Sequence, residues 1–376
     1  CCPSRSSILT GLFAHNHGVK TNRAPIGGAT VFKDSSTLPV WMQSAGYRTA
    51  LMGKYLNEYD ALPEGYIPPG WNEWHAFVNK DPAKDFYFGY TLDENGKTVQ
   101  YGFDSKDYST DVLADKAVNF IKENRDVPFF LMFTPYSPHQ PYVAADRHKD
   151  LFKTYDTFSP YNPPNYFEED IRDKPAWLNS YEPQTKDYIE KVYQRMLRSL
   201  MGVDDAVAGI IDALEKEEIR DNTIIIFMSD NGLALGDHRL IGKACPYDIC
   251  IHVPFVVSYP DKISAARVDL NMVLNIDIAP TLTKLVGIPN PSAFDGQSFL
   301  PLLTDPSAQF RDGFLFEQYQ DDGEDRSMTS LVPAYVGFRT NEWKYVEYET
   351  GEQELYDLKN DPYEMENLIS KPGYDD

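Results

Sequence analysis

Short apolar runs bounded by turn residues recur along the chain: YRTALMG at 47–53, PFFLMFT at 128–134, TIIIFMS at 223–229 and PFVVSYP at 254–260. Runs of this length, rich in β-branched and aromatic residues, predict buried strands. Helical patterns lie between them. Residues 109–124 open on Ser109, Thr110 and Asp111 and carry Val112, Ala117, Phe120 and Ile121 at helical spacing. Residues 187–218 form a longer helical stretch with an expected break near Gly202. Strands alternating with helices predict an α/β fold with a large, mostly parallel central sheet flanked by helices.

The pattern changes near residue 304. A turn-rich TDPSAQFRDG and an acidic QDDGEDRS (320–327) precede three alternating segments at 334–340, 343–349 and 353–358, joined by tight turns. They predict an antiparallel meander, with DPYEMENLIS (361–370) as a short closing helix. The expected division is a catalytic domain over 1–304 and a small C-terminal α+β subdomain with an antiparallel sheet over 305–376.

Composition narrows the function classes. No apolar run approaches the roughly 20 residues that cross a bilayer. Formal charge is −22, from 35 Lys+Arg against 57 Asp+Glu, which argues against nucleic-acid binding. An anionic substrate would have to be drawn in by a local cluster of cations. Four cysteines do not make a disulfide framework; Cys245 and Cys250 stand close enough to pair, or to be buried thiols. The chain opens on CCPSRSSILTG, with no leader or first strand before it, and is expected to be part of a longer protein.

Ligands of open α/β sheets bind beyond the carboxyl ends of the strands. There the sequence places Gly53-Lys54 after the first run, His139 in SPHQP after the second, and Asp230-Asn231 in SDNG after the third, followed by GDHRLIGK with His238 and Lys243. Arg5 joins them from the opening stretch. Each is ordinary alone: Asp-Asn-Gly is a common turn, and a lysine after a strand is usually solvated. Together they suit a hard cation held by oxygens and a tetrahedral oxyanion neutralised by cations. His15 and His17 in AHNHG have metal-ligand spacing but need partners nearby. The aromatic residues crowding 71–103, among them Trp71, Trp74, Phe77, Tyr87, Tyr90 and Phe103, predict either a sugar-stacking wall or a satellite core.

CCPSRSSILTG resembles the signature of the type I sulfatases, Cys-x-Pro-Ser-Arg followed by Leu-Thr-Gly, matched by Cys1, Pro3, Ser4, Arg5, Leu9, Thr10 and Gly11. GKYLNEY, SPHQPY, SDNG, GDHRLIGK and ELYDLKNDPYEMENL continue the resemblance in order along the whole chain, and HNHG with GKYLNEY is closest to the branch of glucosamine-6-sulfatases and glycosaminoglycan sulfatases. The resemblance implies an alkaline-phosphatase-like sandwich and a sulfuric ester hydrolase acting on a sulfated sugar, in a periplasmic or secreted setting.

It further implies that Cys1 is oxidised by a formylglycine-generating maturation enzyme, and that the hydrated aldehyde attacks sulfur and later expels sulfate through its second hydroxyl. Asp230, Asn231 and the matured Cys1 would hold a divalent cation, Ca²⁺, with a pair of aspartates expected upstream of residue 1. Arg5 would steady the hydrate, Lys54 and Lys243 would neutralise the sulfate, and His139 would serve the leaving oxygen. Leu56 stands where many sulfatases carry a histidine base for sulfate release, leaving Asn57 or His17 as substitutes. Two rival readings stand: a phosphate mono- or diester or phosphonate hydrolase of the same superfamily, and an unconverted, non-catalytic binder.

Overall fold

The computed structural model describes residues 1–78, 86–154, 160–263, 265–289, 293–320 and 331–374. Chain order is α1 (Cys2–Thr10), α2 (Ala14–His17), α3 (Leu38–Ser44), β1 (Arg48–Gly53), β2 (Glu73–Val78), β3 (Thr91–Glu94), β4 (Lys97–Gln100), α4 (Ser109–Glu123), β5 (Phe129–Thr134), α5 (Ala176–Asn179), α6 (Lys186–Lys216), β6 (Ile225–Met228), β7 (Ala234–Leu235), β8 (Ile241–Gly242), α7 (Asp248–Ile251), β9 (Phe255–Ser258), α8 (Ile278–Leu285), α9 (Leu300–Thr304), β10 (Gly313–Gln318), β11 (Tyr335–Thr340), β12 (Trp343–Tyr348) and β13 (Gln353–Asp357). All four apolar runs become strands, and both helical patterns become helices.

The fold is α/β, with a mixed rather than mostly parallel central sheet. Its order is β4-β3-β2-β1-β5. β1 runs parallel to β2 and β5, while β3 pairs antiparallel with both β2 and β4. For β3 and β4 the antiparallel pairing follows because the Asn95-Gly96 hairpin returns directly, without a crossover helix. Alternate residues of β1 cover both faces: Ala50 and Met52 pack with Leu113, Ala117 and Phe120 of α4, and Leu51 packs with Cys2 and Leu9 of α1. β6 pairs antiparallel with β9 in a separate ladder. Residues of β5, β6 and the polar strand ends beyond them line one cavity of about 2150 Å³.

α6 runs unbroken through Gly202. A Cβ there would lie 3.1 Å from Tyr108 Cε1, so the glycine permits close approach of Tyr108 instead of breaking the helix. Of the aromatic residues at 71–103, Trp71, Trp74, Phe77, Tyr87 and Tyr90 are buried. These five form core rather than a sugar-stacking wall, whereas Phe103 is 80% exposed. The C-terminal sheet has order β10-β11-β12-β13, antiparallel throughout. It packs Tyr335, Tyr348 and Tyr356 onto Tyr247 and Trp177. The predicted closing helix is a series of turns. Glu364 takes a left-handed φ of 57° and is buried against Lys344, while Asn367 accepts from the Leu355 and Ile369 amides. Those tertiary bonds override local helix propensity. The acidic loop at 320–327 falls almost wholly outside the described residues.

Candidate active site

The site begins at the start of α1. Cys1 is its N-cap and Pro3 stands in its first turn, where a missing N–H costs nothing. The Arg5 amide donates to the Cys1 carbonyl at 2.9 Å. That first turn fixes opposite fates for the two cysteines. Cys2 is fully buried, its Sγ accepting the Asn57 amide at 3.0 Å, and burial raises its thiol pKa. Cys1 Sγ faces the cavity, accepts from Lys243 Nζ at 2.8 Å and lies 3.5 Å from Asn231 Oδ1.

Arg5 joins the strand ends. Its Nε donates to Asp230 Oδ2 at 2.7 Å and its Nη1 to the Lys54 carbonyl at 2.8 Å. Lys54 leaves β1 through Gly53, whose φ is 122° and whose added Cβ would lie 2.0 Å from the Thr134 carbonyl oxygen. Only glycine lets β1 and β5 close there, and the Lys54 amide donates to the same carbonyl at 2.8 Å. His139 follows β5, with Nδ1–H donating to the Gln140 carbonyl at 3.0 Å. In the neutral ring this leaves the lone pair on Nε2. Cys1, Arg5, Lys54, Asp230, Asn231 and Lys243 are thus joined by contacts or by shared partners, and all seven predicted site residues line one cavity.

Electrostatics mark it as an anion site. Burial would raise the Asp230 carboxyl, but Arg5, Lys54 and Lys243 outweigh it and hold the group far below the usual carboxylate range. Burial, then Arg5 and Lys243, push Lys54 down to about 7. Burial lowers Lys243 as well. Burial, then Lys243 and Lys54, push His139 down to about 4. Three cationic side chains around one carboxylate leave a local positive excess in a chain of charge −22, and an entering anion relieves their repulsion.

Other sequence candidates lie elsewhere. His238 is fully buried, its Nδ1 2.6 Å from Glu168 Oε2 and its ring centroid 4.2 Å from that of Tyr247. His17 is buried; its Nδ1 accepts the Val19 amide at 3.0 Å, and its Nε2 lies 3.1 Å from Ser7 Oγ. Both ring nitrogens are occupied, so it is not the missing base. His15 pairs with Glu317, and the two histidines form no metal pair. Asn57 lines the cavity.

Sequence reading missed how Lys243 is held. Cys245 and Cys250 are disulfide-bonded, closing a ring just after Lys243. The Ala244 carbonyl accepts from Tyr335 Oη at 3.1 Å, and the Pro246 carbonyl from Lys344 Nζ at 3.1 Å. Asp248 pairs with Arg339 and Lys344. The C-terminal sheet therefore fixes the loop carrying the lysine that touches Cys1, a tertiary relation without a local sequence signal.

Asp230 and Asn231 offer oxygen donors of the kind a hard divalent cation takes. Asp230 keeps Oδ1 free of Arg5, and Asn231 turns its Nδ2 to the Gly232 carbonyl at 2.9 Å, leaving Oδ1 toward Cys1. The pair fits one side of a cation's coordination shell. Among the described residues, no group of three or more His, Cys, Asp or Glu side chains could hold a metal.

Residues 1–288 match the family model described as Sulfatase, and residues 236–376 the one described as N-sulphoglucosamine sulphohydrolase, C-terminal. The chain is 33% identical over 412 residues to N-acetylglucosamine-6-sulfatase of Capra hircus, an alignment covering 98% of this chain and 72% of the relative. It is 35% identical over 327 residues to the extracellular sulfatase SULF-1 homolog of Drosophila melanogaster, covering 84% of this chain but 28% of that much longer relative. A structure solved in complex with its substrate D-glucosamine-2-N,6-O-disulfate superposes with TM-score 0.84 at 25% identity, covering 99% of this chain and 84% of the other.

Proposed function

Because the chain belongs to the sulfatase family, we propose that it hydrolyses the sulfate ester of a sugar, 6-sulfated N-acetylglucosamine being the leading substrate. The observation that carries this reading is the contact of Lys243 Nζ with Cys1 Sγ at 2.8 Å, beside the Arg5–Asp230 pair. A nucleophile position surrounded by cations suits an ester that already bears negative charge. The glucosamine-6-sulfatase relatives and the substrate named for the superposed structure favour an amino sugar.

In this reading a formylglycine-generating enzyme converts Cys1, and the hydrated aldehyde supplies one hydroxyl for attack and a second for release. Sulfatases generally carry such a residue and a divalent cation; here the cation is proposed to be Ca²⁺, held by Asp230, Asn231 and the matured Cys1, where it would neutralise charge on the ester. Lys54 and Lys243 bind sulfate oxygens. Arg5 orients Asp230 and fixes the Lys54 backbone. An incoming ester offsets the repulsion from Lys243 and Lys54 and raises the His139 pKa, so Nε2 gains a proton to give the leaving oxygen. The proposed division of the chain is a catalytic unit over 1–304 and a subdomain over 305–376 that steadies the Lys243 loop.

The test is co-expression of the full-length protein with a formylglycine-generating enzyme. Mass spectrometry of the Cys1 peptide should find the aldehyde. Parallel assays with 6-sulfated N-acetylglucosamine, an aryl sulfate and an aryl phosphate should rank the phosphate last. Cys1→Ala should abolish turnover and keep the circular dichroism spectrum. An intact thiol in active protein, or preference for phosphate, refutes the reading.

A further inference from the structure

The cavity that holds Cys1, His139 and Lys243 is also lined by Tyr142, Tyr181 and Tyr188, with Gln140 and Gln184 beside them. These tyrosines are tied to the reacting groups. The Tyr142 amide donates to the His139 carbonyl at 3.0 Å, and Tyr142 holds a left-handed φ of 64°. Tyr181 Oη is bonded to both the amide and the carbonyl of Ile241, each at 3.3 Å, two residues before Lys243. Burial, then the neighbouring Tyr188, raises the Tyr142 phenol, and at Tyr181 burial and Tyr188 outweigh the opposing Ile241 backbone bond. Tyr188, in the first turn of α6, is 46% exposed, and its hydroxyl has no hydrogen-bond partner among the described residues. A large aromatic left open on the wall of an anion site is unlike the buried aromatic residues of 71–103, whose rings are spent on packing.

Resting on the sulfate-ester reading, the geometry points to Tyr142, Tyr181 and Tyr188 as the subsite for the leaving group: a pyranose ring whose C–H face lies on tyrosine and whose hydroxyls reach the Gln140 and Gln184 amides. Aromatic faces bury apolar ring surface at little entropic cost, and a few polar groups orient the ligand. Tyr142 and Tyr181 are fixed by the backbone of the catalytic loops; Tyr188 is the exposed member of the three. The three therefore act as specificity-determining residues.

Two readouts on the full chain test this. In the first, Cys1→Ala prevents turnover, and 6-sulfated N-acetylglucosamine is titrated calorimetrically with and without Tyr188→Ala. Kd is expected to rise about tenfold on losing the ring and to stay within about twofold in Tyr188→Phe, which keeps it. In the second, active enzyme is compared on the sugar sulfate and on ethyl sulfate, which has no ring to stack. Tyr188→Ala should lower the ratio of their kcat/KM values about tenfold, mostly through KM of the sugar ester. Unchanged Kd, or equal losses on the two esters, overturns the subsite. Parent enzyme that turns over neither ester would instead overturn the sulfatase reading, and the titration would still decide the subsite.

Discussion

Replacing Lys344 by methionine tests whether the C-terminal sheet holds the Lys243 loop through buried charge. Lys344 is fully buried on β12, with Nζ 2.6 Å from Glu364 Oε1, 2.5 Å from Asp248 Oδ1 and 3.1 Å from the Pro246 carbonyl. Asp248 would keep Arg339, but Glu364 is only 2% exposed and would lose its cation. Leaving one partner of a buried pair uncompensated costs about 3–5 kcal/mol. With an unfolding entropy of about 2.1 cal/mol/K per residue, that corresponds to about 4–6 °C in Tm for a chain of this length.

The pH dependence supplies a second constraint. Burial already raises the Glu364 carboxyl, with Lys344 opposing that rise. Without the lysine it rises further, so the penalty is present while the carboxylate is charged and is relieved as pH falls and it protonates. The Tm gap between parent and Lys344→Met should therefore narrow from pH 7.5 to pH 5. Lys344→Met with Glu364→Gln should recover most of the loss. Differential scanning fluorimetry with urea unfolding reads all three proteins. A single variant within about 1 °C of the parent, or a gap that does not narrow in acid, refutes the reasoning.

Inorganic sulfate should bind more tightly as pH falls from 9 to 7, by up to about tenfold per pH unit. Lys54 sits at about 7 in the site without an anion, and a bound anion raises it, so binding takes up a proton. Product-inhibition constants across that range check this, and a flat profile refutes it. Gly53→Ala should cost about 3 kcal/mol and most of the activity, because its Cβ would meet the Thr134 carbonyl oxygen at 2.0 Å in a left-handed conformation. Urea unfolding and a turnover assay read both losses.

The site was largely legible in the sequence because strand ends gather it. Lys54, His139 and Asp230 each follow an apolar run within a few residues, and a sheet brings such positions to one edge whatever its detailed pairing. Strand direction was not legible: apolar runs at 47–53 and 128–134 say that β1 and β5 are strands, not that β3 and β4 return antiparallel. The closing segment 361–370 reads as a short helix, yet long-range bonds from Glu364 to Lys344 and from Asn367 to Leu355 decide otherwise. His17 and His238 show the same limit. A histidine's type suggests chemistry, but only its neighbours tell whether its nitrogens are already spent.

Arg5 reaches across the two strand ladders, to a side chain beyond β6 and a backbone carbonyl beyond β1. A lysine has one ammonium and could serve one bank at a time, whereas the guanidinium fork serves both. A change at position 5 or 230 alone therefore leaves the other charge without its partner. Position 54 lends Arg5 only its backbone, so its side chain is free to be selected for the substrate alone.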